Sequence, residues 1–315
     1  MQHTNASKTA RPPSLIETIT QGFEAVNRRL WVVPILFVLD LFYWLGPRIS
    51  IQPLIDRFIA LMRALGGPEA REMLRQQMAE PLSAARVPLN LGQLQLLPTA
   101  QTLLPSVTPP PLTSVTWQIS SVAMLLAAVT LLNLLALLVT LLYLMPLADI
   151  VRGDAMPRPT AGRMAKAFAS LLGIVLIVLG ILLLFAIPFG LLMSFASLIS
   201  PALGSLVASL WFAFFVWLLF TAYFSFDAAI FSGVGPIRAL LTSLFIVQRS
   251  FWGAIGLYLI GRLIMSGMNV IWQMLSTSEV GLVVAMIGSA YLSCGLAAAH
   301  LIFYRDRLSR IGRRA

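Results

Sequence analysis

The sequence predicts an all-α polytopic membrane protein with six transmembrane helices, cytoplasmic interfacial amphipathic helices and one long external loop. Three observations predict it. Of the 315 residues, 58% are hydrophobic and 11% charged, against about 25% charged in a soluble domain. Apolar runs long enough to cross a bilayer recur along the chain. The basic residues, which give a net charge of +10, cluster beside those runs. There they read as topology signals and contacts for anionic lipid head groups rather than as a nucleic-acid surface.

The start, MQHTNASKTARPP, is polar and carries no apolar core. Residues 1–13 are expected to form a disordered cytoplasmic tail rather than a cleaved signal. Residues 14–315 are expected to form one membrane domain. Its spans are drawn at 30–46, 118–147, 168–192, 203–226, 251–275 and 281–303. The fifth, at 25 residues, makes a helix of about 37 Å and crosses a hydrocarbon core of about 30 Å with some tilt.

Charge placement sets the orientation. Lys8, Arg11, Arg28 and Arg29 precede the first span, and Arg152, Arg158, Arg163 and Lys166 separate the second from the third. Arg238 and Arg249 lie between the fourth and fifth, and five arginines follow the sixth. The short opposite connections, SFASLISPALG and STSE, contain no Lys or Arg. The positive-inside rule then places both termini in the cytoplasm. The scarcity of lysine beside arginine points to a GC-rich bacterial genome, hence to an inner membrane.

Three cytoplasmic stretches are amphipathic, each ahead of a pair of spans, which suggests a threefold repeat. In the first, Leu15, Ile16, Ile19, Phe23 and Val26 recur at helical spacing. PTAGRMAKAFASLL aligns Met164, Phe168 and Leu171. GPIRALLTSLFIVQRSFW aligns Ile237, Leu240, Leu241, Leu244 and Phe245, with Pro236 suited to a first helical turn. Such helices lie in the interface, apolar face down. In the external loop, 47–117, QPLIDRFIALMRALGG predicts an amphipathic helix and PEAREMLRQQMAE a weaker one. From Pro81 to PSVTPPPLTS, prolines rule out regular helix and leave an extended tether.

Few residues point to chemistry. Arg262 interrupts the fifth span and Asp40 the first. A charge at a helix centre costs about 2.5–3.5 kcal/mol on insertion scales. Counted from the cytoplasmic edges, the two lie about 18 Å and about 16 Å deep, so an intramembrane ion pair, Asp40 with Arg262, is expected. Exchanging the charges (Asp40→Arg with Arg262→Asp) should restore folding lost in each single variant. Failure to recover a folded, monodisperse protein would count against the pair. Asn133, Asn269 and Gln273 suit interhelical hydrogen bonds. Asp227 is expected at the edge of the fourth span, neutralised by Arg238 or Arg249. Gly281, Ala285, Ser289, Ser293 and Ala297 recur every four residues and form a ridge for close helix packing.

No catalytic, cofactor-binding or metal-ligating residue is predicted. His3 and His300 are the only histidines, and HExxH, GxSxG and P-loop patterns do not occur. Asp149 and Asp154 sit among arginines and read as a turn with local ion pairs. Cys294 is the lone cysteine and excludes an intrachain disulfide.

Residues 226–264, FDAAIFSGVGPIRALLTSLFIVQRSFWGAIGLYLIGRLI, resemble a bacterial family of YciC-like inner-membrane proteins. The same family includes the membrane region attached to some glycerophosphodiester phosphodiesterases. The shared pattern runs from an aliphatic stretch through Gly235-Pro236-Ile237 and Ala239 to a serine, near which Ser243 stands, then to Phe251-Trp252 opening the next span. The resemblance implies a six-span membrane protein without enzymatic activity of its own. It also implies a role as a scaffold or accessory protein for lipids or a membrane partner. The alternative is a transporter of a small or amphiphilic solute that uses the Asp40/Arg262 region.

Overall fold

Residues 13–65, 67, 88–91, 115–153 and 160–311 are described in this computed structural model. The expected tail apart from Pro13, the weaker loop helix, Asp154 and the tether apart from residues 88–91 lie outside them. The helices are α1 (Leu15–Asn27), α2 (Val33–Leu45), α3 (Gln52–Leu65), α4 (Val122–Arg152), α5 (Ala161–Ile199), α6 (Pro201–Thr221), α7 (Ser225–Ser232), α8 (Pro236–Arg249), α9 (Phe251–Leu275) and α10 (Glu279–Ile311). The strands are β1 (Arg48–Ser50), β2 (Leu89–Asn90) and β3 (Thr116–Gln118).

Helix dominates because hydrocarbon offers backbone N–H and C=O groups no partner, and a helix satisfies them within itself. Among the described residues, five helical stretches are long and apolar enough to cross a membrane: α4, α5, α6 with α7, α9 and α10. This is an all-α, multi-pass membrane protein. The first expected span, Leu30–Leu45, is a shorter apolar helix with Pro34 in its first turn rather than at a kink. The second amphipathic stretch is not a separate interfacial helix. Ala161–Ile199 is continuous, because nothing between Thr160 and Pro188 breaks it.

The chain divides into two compact units. One comprises Met1–Leu30, Tyr143–Met265 and Cys294–Ala315; the other comprises Trp31–Leu142 and Ser266–Ser293.

In the first unit, α1 starts on a capping box. The Glu17 amide donates to Ser14 Oγ (3.2 Å), and the Ser14 amide donates to Glu17 Oε2 (2.7 Å). Its buried face is Thr18, Ile19, Gly22, Ala25 and Val26, and that face meets α10. A β-carbon on Gly22 would lie 2.5 Å from the Gly295 carbonyl oxygen, and one on Gly295 would strike the Phe23 ring. The backbones therefore touch, as small residues allow. Ile16 lies off this docked face, at 74% exposure. On the other side of this unit, α5 and α6 form a hairpin turned at Ser200, whose hydroxyl accepts from the Ala202 amide (3.2 Å). Helix α8 crosses α5 where Gly173 leaves room for the Pro236 ring.

In the second unit, the expected loop helix is present as α3, with Ile55 buried and Phe58 and Leu61 exposed. The loop also carries a small sheet that the hydropathy pattern does not predict. Strand β1 is central, antiparallel to β2 and parallel to β3. Arg48 pairs with Thr116 and Ser50 with Gln118, while Ile49 and Ile119 are buried at 2% and 1% exposure. The Arg57 guanidinium donates to the Ser120 carbonyl.

Candidate functional site at a broken helix

The fourth expected span is not one helix. Helix α6 ends at Thr221 and α7 begins at Ser225, so the backbone leaves helical geometry at Ala222-Tyr223-Phe224. Such a break inside an apolar segment frees polar groups that need other partners. Ser243 of α8 supplies them. Its hydroxyl donates to the Thr221 carbonyl (2.6 Å) and accepts from the Phe224 amide (3.0 Å). Ser243 and Phe224 are both fully buried. The remaining groups close locally: Ser225 Oγ donates to the Ala222 carbonyl (2.6 Å) and Thr221 Oγ1 to that of Leu218 (2.8 Å). Helix α7 then stops at Gly233, whose φ of 64° suits glycine.

The break sets Asp227 into the interior. It lies in the first turn of α7 at 7% exposure. Its carboxylate forms no hydrogen bond or ion pair with a described residue. Tyr143 of α4, Tyr223 of the break and Tyr304 of α10 lie near enough for its charge to bear on them. Two of these tyrosines are held in place. Tyr223 shares a 2.8 Å hydrogen bond with His300 Nε2, and Tyr304 shares one of 2.9 Å with Ser232. The Tyr223 ring packs edge-on against His300 and Tyr258, and Phe224 stacks on Phe303 at 5.5 Å.

Outside this core stands a set of arginines with assigned partners. Asp149 takes both guanidinium nitrogens of Arg163 (2.6 and 3.2 Å) and one of Arg152 (3.3 Å). Arg152 also donates to the Ile230 carbonyl at 3.3 Å and lies over the Phe231 ring. Arg305 donates to the Val151 carbonyl (2.9 Å) and pairs with Asp306 (3.0 Å). These carbonyls belong to the last turns of α7 and α4, where helices leave acceptors unsatisfied and favour cations. The expectation of local ion pairs at Asp149 is met.

The other candidates named from the sequence lie elsewhere. Asp40 is buried at 2% exposure on α2, in the second unit. Arg262 is exposed on α9, in the first unit, and pairs with no described residue of that unit. Ala285 and Ser289 of the small-residue ridge are buried, while Gly281, Ser293 and Ala297 are partly so. Asn133 donates back to the Val129 carbonyl of its own helix (2.8 Å). Arg238 and Arg249 do not neutralise Asp227. Both lie on the exposed side of α8, because Ala239, Ser243, Ile246 and Val247 take its inner face. Among the described residues, no three of His, Cys, Asp and Glu gather as metal ligands.

Sequence reasoning missed the Tyr223–His300 pair, and no local signal marks it. The chain matches no protein-family model, no curated protein and no solved structure to which it was compared.

Proposed function

We propose that the chain is a six-span bacterial inner-membrane protein, with both termini cytoplasmic, that acts as a non-enzymatic scaffold or accessory protein engaging anionic lipids and a membrane partner. The observation that carries this reading is the two-faced helix α8. One side is buried through small and aliphatic residues. The other presents Ile237, Leu241 and Phe245 at 64%, 55% and 55% exposure, followed by Trp252 at 81%. Exposed Arg238 and Arg249 flank that stripe. A helix that is apolar outward, basic at its ends and adjoined by tryptophan fits the head-group boundary of a bilayer. The sixth crossing would be Leu30–Leu45, with Arg28 and Arg29 anchoring a stretch shorter than the hydrocarbon.

Lipid analysis of the purified protein tests the reading. Anionic phospholipid should co-purify in excess over the bulk membrane, and Arg238→Gln with Arg249→Gln should reduce that excess several-fold. A wild-type protein carrying lipid in bulk proportion would sink it.

A second reading, transport of a small solute, draws on the break between α6 and α7, since discontinuous helices line solute sites in many carriers. On this reading Asp227 lines the solute route within the first unit.

A further inference from the structure

We propose that Asp227 is the binding group of an exchangeable monovalent cation, a proton or an alkali-metal ion, held at the α6–α7 break. The inference stands on the geometry of the break and holds whether the protein carries a solute or only organises partners.

Asp227 is more than nine-tenths buried, and neither a hydrogen bond nor an ion pair from a described residue compensates it. Removing a carboxylate from water without compensation costs several kcal/mol, and none of the described residues supplies the balancing positive charge. The nearby arginines are committed elsewhere: Arg163 and Arg152 to Asp149, and Arg305 to Asp306 and the Val151 carbonyl. Arg238 and Arg249 of α8 face outward. The ionisable groups around the site are Tyr143 of α4, Tyr223 of the break, Tyr258 of α9, and Cys294, His300 and Tyr304 of α10. None is a standing cation of the lysine or arginine kind. A single carboxylate with no second acid gathered beside it among the described residues balances a single positive charge. A divalent ion would want more carboxylates than the described residues bring together. Ser243 keeps the irregular backbone intact beside this carboxylate without spending the carboxylate on it.

The test uses the full chain in nanodiscs. Thermal unfolding is followed in sodium, potassium and N-methyl-D-glucamine chloride at constant ionic strength, and separately across pH without alkali ions. Infrared difference spectra report the carboxylic C=O band in parallel. If an alkali ion is the ligand, it raises the unfolding temperature saturably and low pH weakens the effect. If a proton is the ligand, only pH acts, and a carboxylic band appears and disappears with it. In either case Asp227→Asn removes the response while the protein stays folded. The proposal is overturned by a wild type that responds to neither ion nor pH, or by an Asp227→Asn protein that keeps the full wild-type response. Should that variant fail to fold, the infrared arm decides on the wild type alone: a carboxylic signal unmoved by both ions and pH also overturns it.

Discussion

The α5–α6 hairpin and the helix ends at its base belong to the same compact unit, yet they are held by different forces. Between Val175 and Trp217 only Gly204 is buried. Leu183, Leu184 and Ile187 stand at 60–71% exposure. The two legs meet through rings, Phe185 with Phe214 at 5.0 Å and Phe189 with Trp211 at 5.2 Å, and through the close approach of Ser197 to Gly204. At the base, by contrast, serine, tyrosine, histidine and arginine join α4, α5, α7, α8 and α10. Ser170 Oγ adds a bond to the Val234 carbonyl at 2.9 Å. In lipid, apolar surface gains little by leaving the acyl chains, so helices associate through close packing and polar bonds. The hairpin is therefore bilayer-facing surface, and the base is where the structure is specified.

That contrast can be broken experimentally, most severely where backbones touch. Gly22→Leu should displace α1 from α10 and cost roughly 3 kcal/mol, as overpacking of a filled site does. Lower thermal stability together with new protease cleavage in α1 would be the readout, and unchanged cleavage would contradict the docking. Ser243→Ala comes next. It strands the buried Phe224 amide and should cost about 2 kcal/mol, measured by thermal or denaturant unfolding in detergent. A neutral result would mean that water reaches the break. Smallest is the hairpin: Leu183→Ala and Ile187→Ala should each lie within about 0.5 kcal/mol of wild type. A larger loss would show that a protein rather than lipid covers that surface.

Much of this fold was legible because hydropathy and helical period are local properties. The long apolar runs became α4, α5, α9 and α10, Pro236 opened α8 as expected, and α3 appeared in the loop. The α6–α7 break was not legible, since Ala222-Tyr223-Phe224 contains neither glycine nor proline. Its cause is Ser243, about twenty residues onward, whose hydroxyl makes an irregular turn as well satisfied as a helix. Ser243 was singled out only by resemblance, and Asp227 was assigned arginines that in fact face outward. The Gly22–Gly295 contact joins opposite ends of the chain, the Tyr223–His300 pair spans 77 residues, and no spacing rule connects either. The sheet escaped because strands of two or three residues carry no usable alternation.

That small sheet has one more implication. Ser50 ends β1 beside Gln118 of the parallel strand β3, so the intervening chain leaves at one end of this strand pair and re-enters at the other, where Thr116 stands beside Arg48. Whatever lies between is a closed excursion, and the helices on either side exert no demand on its length. Each doubling of such a segment adds only about 0.6 kcal/mol of closure entropy. The strands work as a clasp that ties the two ends of the loop together, so residues outside α3 and the strands can change in number while the clasp holds.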